Sequence, residues 1–247
     1  GELCEITGET VDFAGSSLGA TPGSGSDELR EAISTWYNNG SPENVYITSS
    51  STEAIFLLIE SILSPGDSMV AMFPMYPALY QLAEDNGADI RHWHLRHENG
   101  FEPDFDELNE LVDDTTRLII VNNPNNPTGQ IMLRNDLQRL AQFAHEHDIQ
   151  LWVDEVFRGI TVDGGPVTPS IRDIDSGTIS TGSMSKSFGL SGLRVGWIAA
   201  PEEVLEAFRH IRFYTTVTAP VVEQKIAAVA HRNRDKVIGR NQAILDK

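Results

Sequence analysis

The sequence predicts a three-layer α/β/α fold built around a mostly parallel β-sheet. Short apolar runs, which are typical of buried strands, alternate along the chain with longer amphipathic stretches, which are typical of helices. Several of the apolar runs end directly in polar or turn-forming residues, as strands do where an open α/β sheet binds its ligand. This alternation favours parallel strands joined by helical crossovers.

The first half of the chain begins with residues 1–25, which are rich in Gly, Ser and Thr and are predicted to be an extended lead-in segment. Residues 26–247 are predicted to form one large domain. The run Ser26-Asp27-Glu28 is typical of a helix start, and its helix is expected to end near Asn38-Asn39-Gly40. Strands are then predicted over residues 45–48, 69–73, 90–95 and 118–121, and helices over residues 53–63, from residue 76 to about 86, and over 105–111.

The second half of the chain continues the same alternation. A helix is predicted over residues 134–146, and the apolar strand 151–153 follows it. Further strands are predicted over residues 179–183 and 195–199. The last predicted elements are helices over residues 202–214 and 220–232.

Composition limits the function classes. The 247 residues carry a formal net charge of −18, which argues against nucleic acid and anionic membranes as partners. No apolar run approaches the length of a transmembrane helix, and there is no signal-peptide pattern. The single cysteine, Cys4, fits a reducing compartment, so a cytoplasmic location is expected. The acidic, lysine-poor composition fits a halophilic source as well as an ordinary acidic protein.

The stretch from Thr181 to Trp197 contains the chemistry that the sequence shows most clearly. Lys186 sits among small and hydroxylated residues. A lysine amine is a poor nucleophile at its usual pKa of about 10.4, but desolvation or a nearby cation lowers the pKa, and the amine can then form a Schiff base. Ser183, Ser185 and Arg194 are of the types that bind phosphate. An aldehyde that also carries a phosphate is the chemical description of pyridoxal 5′-phosphate (PLP).

The pattern S-x-S-K-x-x-G-L-x-G-x-R-x-G within this stretch is similar to the Schiff-base segment of the class I/II aminotransferases, which are fold type I PLP enzymes. The resemblance implies the large domain of that fold, PLP as the cofactor, and a homodimer. It also implies transfer of an amino group from an α-amino acid to a 2-oxo acid, through an aldimine on Lys186. Because relatives continue beyond the helix near 241–247 into a small C-terminal domain, that domain is expected to be missing from this chain.

The resemblance and the cofactor's chemistry give the same site roles. Asp154 would pair with the pyridine nitrogen and keep it protonated. Asn126 would bind the 3′ oxygen, and Tyr76 would stack on the ring. Lys186 would carry the cofactor and then move the proton at the substrate Cα, with Asp154 and Tyr76 as the other catalytic residues. The phosphate would be held by Ser50, Ser51, Thr52, Ser183, Ser185 and Arg194.

The sequence also departs from the family pattern. Phe157 stands where many aminotransferases have a tyrosine, Ser50 where the phosphate loop usually has glycine, and Ala20 near the place of a tyrosine that reaches the neighbouring subunit. These features resemble the branch with capreomycidine synthases and PLP-dependent arginine oxidases. One alternative is therefore a PLP-dependent cyclase, lyase or oxidase acting on an arginine-like amino acid. Another is a non-catalytic sensor domain of a transcription regulator.

The sequence gives less support to a metal site than to a PLP site. His92, His94 and His97 are close in sequence, but they lack the carboxylates or cysteines that complete most metal sites, and exposed side chains are expected. Asp154 and Glu155 are adjacent strand residues whose side chains should point to opposite faces, so they are not predicted to act as an acid–base pair. No metal is therefore predicted.

Overall fold

The structure is a computed structural model that describes residues 2–13, 19–161 and 164–247. The described residues form seven strands: β1 (Val45–Thr48), β2 (Ser68–Phe73), β3 (Asp89–His94), β4 (Thr116–Asn122), β5 (Gln150–Asp154), β6 (Ile179–Ser183) and β7 (Gly196–Ala199). The helices are α1 (Glu2–Thr7), α2 (Asp27–Ser34), α3 (Ser51–Ile62), α4 (Gln81–Asp85), α5 (Phe105–Leu111), α6 (Arg134–Glu146), α7 (Glu202–Ala207), α8 (Val221–Arg232) and α9 (Arg234–Leu245).

The seven strands form one sheet in the order β1-β7-β6-β5-β4-β2-β3. β7 pairs antiparallel with both of its neighbours, and every other pairing in the sheet is parallel. Six strands therefore run in one direction, and the carboxyl ends of β1, β6, β5, β4 and β2 lie along one edge. The predicted mostly parallel α/β architecture is confirmed.

Helices cover both faces of this sheet. Along β1 the side chains alternate, so that Tyr46 packs into the larger apolar core while Val45 and Ile47 pack into a second one. The larger core joins α3 and α6 to the central strands, and the second joins β1 and β7 to α2, α8 and α9. The central strands read as continuous apolar runs because parallel strands are buried on both faces.

The lead-in segment is not extended throughout, which corrects the prediction for residues 1–25. Residues 2–7 form α1, and α1 lies against the C-terminal helices. Lys236 Nζ donates to the Thr7 carbonyl over 2.9 Å, and Arg232 pairs with Glu9 over 2.5 Å. A six-residue helix is marginal in isolation, so these contacts explain why it forms. The part of the lead-in at residues 14–18 lies outside the described residues.

Three predicted helices are shorter than expected. α2 ends at Ser34, before its predicted end near residues 38–40. The stretch 202–214 divides into α7 and a 3₁₀ turn over Ile211–Tyr214. The stretch after Tyr76 begins with a 3₁₀ turn over Pro77–Leu79 before α4. In the described part of the chain, no helix is both long enough and apolar enough to cross a membrane.

Candidate active site

A cavity of about 260 Å³ opens at the edge of the sheet where the parallel strands end. Eight of the ten predicted site residues line it. These eight residues are Ser51, Thr52, Tyr76, Asn126, Asp154, Ser185, Lys186 and Arg194. The cavity is also lined by Ile55, Asn122, Val156, Phe157 and Ser191. Side chains that are far apart in the sequence therefore meet in one cavity. This is expected, because open α/β sheets bind ligands beyond the carboxyl ends of their strands.

Asp154 is the last residue of β5, and its buried carboxylate lies between two donors. The Thr181 hydroxyl donates to Oδ1 over 2.7 Å, and Asn122 Nδ2 donates to Oδ2 over 3.1 Å. Both donors come from the neighbouring strands, because the register pairs Asn122 with Asp154 and Asp154 with Thr181. Burial raises the pKa of Asp154 to about 7, and the Thr181 hydrogen bond opposes this only in part.

Without cofactor, the protein is expected to lose stability as the pH rises towards 8, because of Asp154. Its pKa is about 7 in the folded chain and near 3.8 in the unfolded chain, so the folded chain retains the proton to higher pH. This stabilising effect is complete at pH values below the unfolded pKa and is lost as the pH rises through the folded pKa. The linkage makes the protein about 2–3 kcal/mol less stable at pH 8 than at pH 5.

Urea unfolding of the wild type and of Asp154→Asn at the two pH values measures this effect. The pH dependence of the variant should be smaller by about that amount, because asparagine does not titrate. Burial also raises the pKa of Glu155, and because Glu155 is present in both proteins, its burial affects both alike. Equal pH dependence in the two proteins would show that Asp154 titrates in its ordinary range.

The turn Ser49–Thr52, called the phosphate turn below, leads from β1 into α3. Ser50 has φ 91° and ψ 162°, a conformation that is essentially restricted to glycine and costs about 1–3 kcal/mol for other residues. The Thr48 hydroxyl donates to the Ser50 carbonyl over 2.8 Å and helps to hold this conformation. Because a serine stands where the phosphate loop usually has glycine, the backbone is strained at Ser50. The turn starts a twelve-residue helix, whose N-terminal N–H groups favour an anion.

Gly196 packs directly against the phosphate turn from β7. A Cβ atom at this position would lie 2.5 Å from the carbonyl carbon of Ser50 and 2.5 Å from the nitrogen of Ser51. Real Cβ atoms do not approach backbone atoms this closely. The glycine in the Arg194-Val195-Gly196 sequence is therefore needed for contact between β7 and the turn, and it fixes one side of the turn.

Residues 184–194, called the lysine loop below, carry Lys186 between β6 and β7. Its ends are joined by main-chain hydrogen bonds, with the Met184 nitrogen donating to the Val195 carbonyl over 3.0 Å and the Leu190 nitrogen donating to the Met184 carbonyl over 2.8 Å. Phe188 is buried and stacks on His231 with ring centroids 5.2 Å apart. The lysine loop is therefore fixed at both ends and at its centre, while the Lys186 side chain remains exposed.

A second anchor of the lysine loop comes from α9. Asn241 Nδ2 donates to the Ser187 carbonyl over 2.9 Å. Gly189 has φ 66° and passes so close to Asn241 that a Cβ would lie 2.9 Å from its Nδ2. A glycine therefore allows both the turn and the close approach of the helix.

Phe157 precedes Lys186 in the sequence and Arg194 follows it, and both residues line the cavity. Lys186 Nζ lies 5.8 Å from the centroid of the Phe157 ring. Phe157 presents a ring with no hydroxyl to the cavity. The Arg194 side chain is exposed, and its Nη1 donates to the Ser191 carbonyl over 3.1 Å.

Two predicted phosphate ligands do not line the cavity. Ser183 is buried, and its hydroxyl accepts from the Ser185 nitrogen over 3.0 Å and donates to the Val195 carbonyl over 3.4 Å. Ser50 is also buried, and Ser51 and Thr52 are the turn residues that line the cavity. In the structure Ser183 therefore stabilises the start of the lysine loop through these hydrogen bonds.

The prediction missed Asn122 and Thr181, which hold the Asp154 carboxylate. Asn122 carried a usable signal, because it ends an apolar strand as Asp154 does. It also fixes Asn126, whose nitrogen donates to Asn122 Oδ1 over 2.7 Å. Thr181 gave no such signal, because its role depends on the register between β5 and β6.

The fold and the cavity define a mostly parallel α/β protein in which a lysine, a buried carboxyl group and the N-terminus of a helix meet at the strand ends. The sequence model of the aminotransferase class I and II family matches residues 11–247, and the chain belongs to this family. The chain is 36% identical over 218 residues to the capreomycidine synthase of Streptomyces vinaceus, covering 88% of this chain and 56% of that protein. It is 29% identical over 219 residues to the aspartate/prephenate aminotransferase of Thermus thermophilus, covering 87% of this chain and 57% of that protein.

Solved structures show the same relationship. A PLP-dependent aminotransferase from Streptococcus suis superposes with a TM-score of 0.92 at 32% identity, covering 99% of this chain and 66% of that chain. The PLP-dependent cyclase OrfR superposes with a TM-score of 0.90 at 30% identity, covering 98% of this chain and 63% of that chain. The chain therefore spans a little over half the length of these curated relatives and about two thirds of the solved chains. The family and these neighbours imply PLP as the cofactor.

The residues of the cavity fit PLP on their own chemistry. Asp154 is a buried carboxyl group, and no salt bridge joins it to a basic side chain in the described part of the chain. A group that brings a cation to this carboxylate would stabilise its ionised form and so oppose the rise in its pKa that burial causes. At the other end, the turn, Ser185 and Arg194 offer N–H, hydroxyl and guanidinium donors for a phosphate. The lysine amine lines the same cavity and can react with an aldehyde.

Proposed function

We propose that this chain forms the cofactor-binding part of a PLP-dependent enzyme that transfers the amino group of an α-amino acid to a 2-oxo acid. The observation that carries the proposal is the meeting of Lys186, Asp154 and Arg194 in one cavity at the strand ends. Each supplies a different requirement of the cofactor: an amine, a carboxylate for the ring nitrogen, and a cation for the phosphate. Family membership supports the same assignment.

Bound PLP would supply an aldehyde for amino groups and a ring that accepts electrons from the substrate Cα. Asp154 would hold a proton on the ring nitrogen, since a buried carboxylate gains most from a cation placed beside it. Arg194, Ser185 and the phosphate turn would fix the phosphate. Asn126 would bind the 3′ oxygen, and the half-exposed Tyr76 would cover the ring face.

Lys186 would act twice. Its amine would hold the cofactor covalently in the resting protein, and as a free amine it would move a proton at the substrate Cα. Its exposed side chain on an anchored loop suits this exchange, because the loop stays fixed while the amine changes partner.

A second candidate is cyclisation of an arginine-like amino acid on the same cofactor. Two observations favour it: the 36% identity to a capreomycidine synthase and the place of Phe157 beside Lys186. Product analysis with and without a 2-oxo acid separates the two candidates. A transaminase needs the acceptor for repeated turnover, whereas a cyclase releases product without it.

We further propose that the whole protein is a cytoplasmic homodimer with amino acid and 2-oxo acid substrates. The exposed rings of Phe213 and Tyr214 offer apolar surface for a second copy, and the unpaired Cys4 suits a reducing compartment. The net charge of −18 disfavours binding to nucleic acid or an anionic membrane.

The covalent link to Lys186 gives the direct test. Borohydride reduction of the protein with PLP, followed by peptide mapping, should place the pyridoxyl group on Lys186. Lys225 is the matched control, because it lies on α8 and does not line the cavity. Label on Lys225, or absence of label on any lysine, would refute the proposed function. The variant Lys186→Ala should lose the label while keeping its fold.

A further inference from the structure

The carboxylate of Glu53 lies behind the phosphate turn and does not line the cavity. Glu53 is in the first turn of α3 and is only 9% exposed. Its Oε2 accepts a hydrogen bond from the Ser49 nitrogen over 2.5 Å. One carboxylate oxygen therefore holds the main chain at the point where the phosphate turn begins.

The same carboxylate is held from its other side by a segment far away in sequence. The hydroxyls of Thr215 and Thr216 donate to Oε1 over 2.8 Å and 2.6 Å. The buried Arg212 guanidinium lies 3.6 Å from Oε2 and also donates to the Ile47 carbonyl of β1. Glu53 therefore connects the phosphate turn to residues 212–216, and Arg212 balances its charge in the interior.

The segment that contacts Glu53 is continuous with an exposed apolar loop. Residues 213–217, called the outer loop below, include Phe213, Tyr214 and Val217, which are 70%, 85% and 47% exposed. Thr215 and Thr216 lie inside this loop, so its conformation and the position of the Glu53 carboxylate depend on each other.

We propose that Glu53 is a positioning residue that sets the phosphate affinity of the turn, and that the outer loop acts on the cofactor site through it. The inference rests on the proposed function, because it assumes that the turn binds the phosphate of PLP. Anion affinity at a helix N-terminus depends on N–H groups already held in place. Ser50 is strained, so the turn keeps its conformation only while neighbouring contacts hold it.

Comparison of PLP with pyridoxal, which lacks the phosphate, isolates this effect. Both ligands react with Lys186 through an aldehyde, and although free pyridoxal in water is largely a cyclic hemiacetal, this contribution is the same for every variant. The change between variants in the ratio of the two dissociation constants therefore reports on the phosphate. In Glu53→Ala we expect the dissociation constant for PLP to rise about tenfold, as for loss of one charge-assisted hydrogen bond, and that for pyridoxal to change less than about twofold. Absorbance titration of both ligands gives the ratio without any assay of activity.

A second variant covers the case in which Glu53→Ala does not fold, since it leaves Arg212 without its partner in the interior. The double variant Thr215→Val and Thr216→Val keeps the ion pair and changes only exposed residues. We expect the dissociation constant for PLP to rise about threefold or more in this double variant, and that for pyridoxal to stay the same. Glu53→Gln retains an oxygen for the Ser49 nitrogen and should recover part of the wild-type ratio.

Thr116→Val is the matched control. It removes a buried hydroxyl, bonded to Ser68 over 2.9 Å, at the opposite end of the strands from the cavity. It should lower thermal stability and leave the ratio unchanged. If the wild type does not prefer PLP to pyridoxal, the proposed function fails. If the wild type does prefer PLP, the role given to Glu53 is refuted by either of two results in the Glu53 and threonine variants. One is an equal loss of affinity for PLP and pyridoxal, and the other is no change in affinity for either ligand.

Discussion

Asp154→Asn is expected to lower the rate of the chemical step about a hundredfold to a thousandfold while the cofactor remains bound. The carboxylate is buried between Thr181 and Asn122, which both donate to it. Asparagine can keep a hydrogen bond to each if its oxygen accepts from Asn122 and its amide donates to the Thr181 hydroxyl. A neutral amide cannot stabilise a protonated ring nitrogen, however, so it removes the charge interaction on which the electron-accepting ring depends. The effect should therefore fall on the rate and not on occupancy.

Loss of the Cα hydrogen from an amino acid in deuterated water measures this rate. The readout does not depend on whether the protein then transaminates or cyclises its substrate. Asp173→Asn is the control, because Asp173 is a largely buried carboxylate that pairs with Arg158 over 3.3 Å and does not line the cavity. Hydrogen exchange at the wild-type rate in Asp154→Asn would refute the role given to Asp154.

Gly196→Ala is expected to lower the free energy of unfolding by about 3 kcal/mol, as overpacking does. It should also weaken PLP binding more than about tenfold. The added methyl group would lie 2.5 Å from two backbone atoms of the phosphate turn, so either β7 or the turn must move. At an open site alanine would instead be slightly favourable in a strand, because glycine loses more conformational freedom on folding.

Gly192→Ala provides the comparison for this prediction. Gly192 is on the lysine loop near Arg194, and a Cβ there would have no atom within 4 Å. Chemical denaturation and PLP titration should therefore separate the two variants. Gly192→Ala should be close to the wild type in both measurements, and Gly196→Ala should be impaired in both. A stable Gly196→Ala protein with normal affinity would show that β7 does not brace the turn.

Regular elements with a strong apolar pattern could be predicted from sequence. The helix Arg134–Glu146 and the strand Val45–Thr48 were predicted with the bounds that the structure has. The failures were short elements that depend on distant contacts. Nothing local in residues 2–7 indicates that Lys236 will bond to Thr7, so α1 could not be predicted. The break between α7 and its 3₁₀ turn lies near the buried Arg212, which bonds to Ile47 of β1.

The same distinction holds for the candidate site. The residues at the strand ends were predicted to converge because parallel strands end at a common edge, and Asp154, Asn126 and Tyr76 do so. The orientation of a side chain at such an end could not be predicted. Ser183 is the last residue of β6, yet its hydroxyl accepts from the Ser185 nitrogen of the lysine loop and not from a group in the cavity. The supporting residues Thr181, Glu53 and Arg212 require the strand register or a distant segment, neither of which one sequence reveals.

The anchoring of the lysine loop by α8 and α9 also sets the order of events during protein synthesis. The ribosome delivers Lys186 well before His231 and Asn241, the side chains that fix Phe188 and Ser187. At about 5–20 residues per second, the lysine leaves the tunnel a few seconds before its supports. A nascent chain that ends before Asn241 therefore lacks the hydrogen bond from α9 to the Ser187 carbonyl. The lysine loop reaches its complete set of contacts only after the C-terminal helices have emerged and docked.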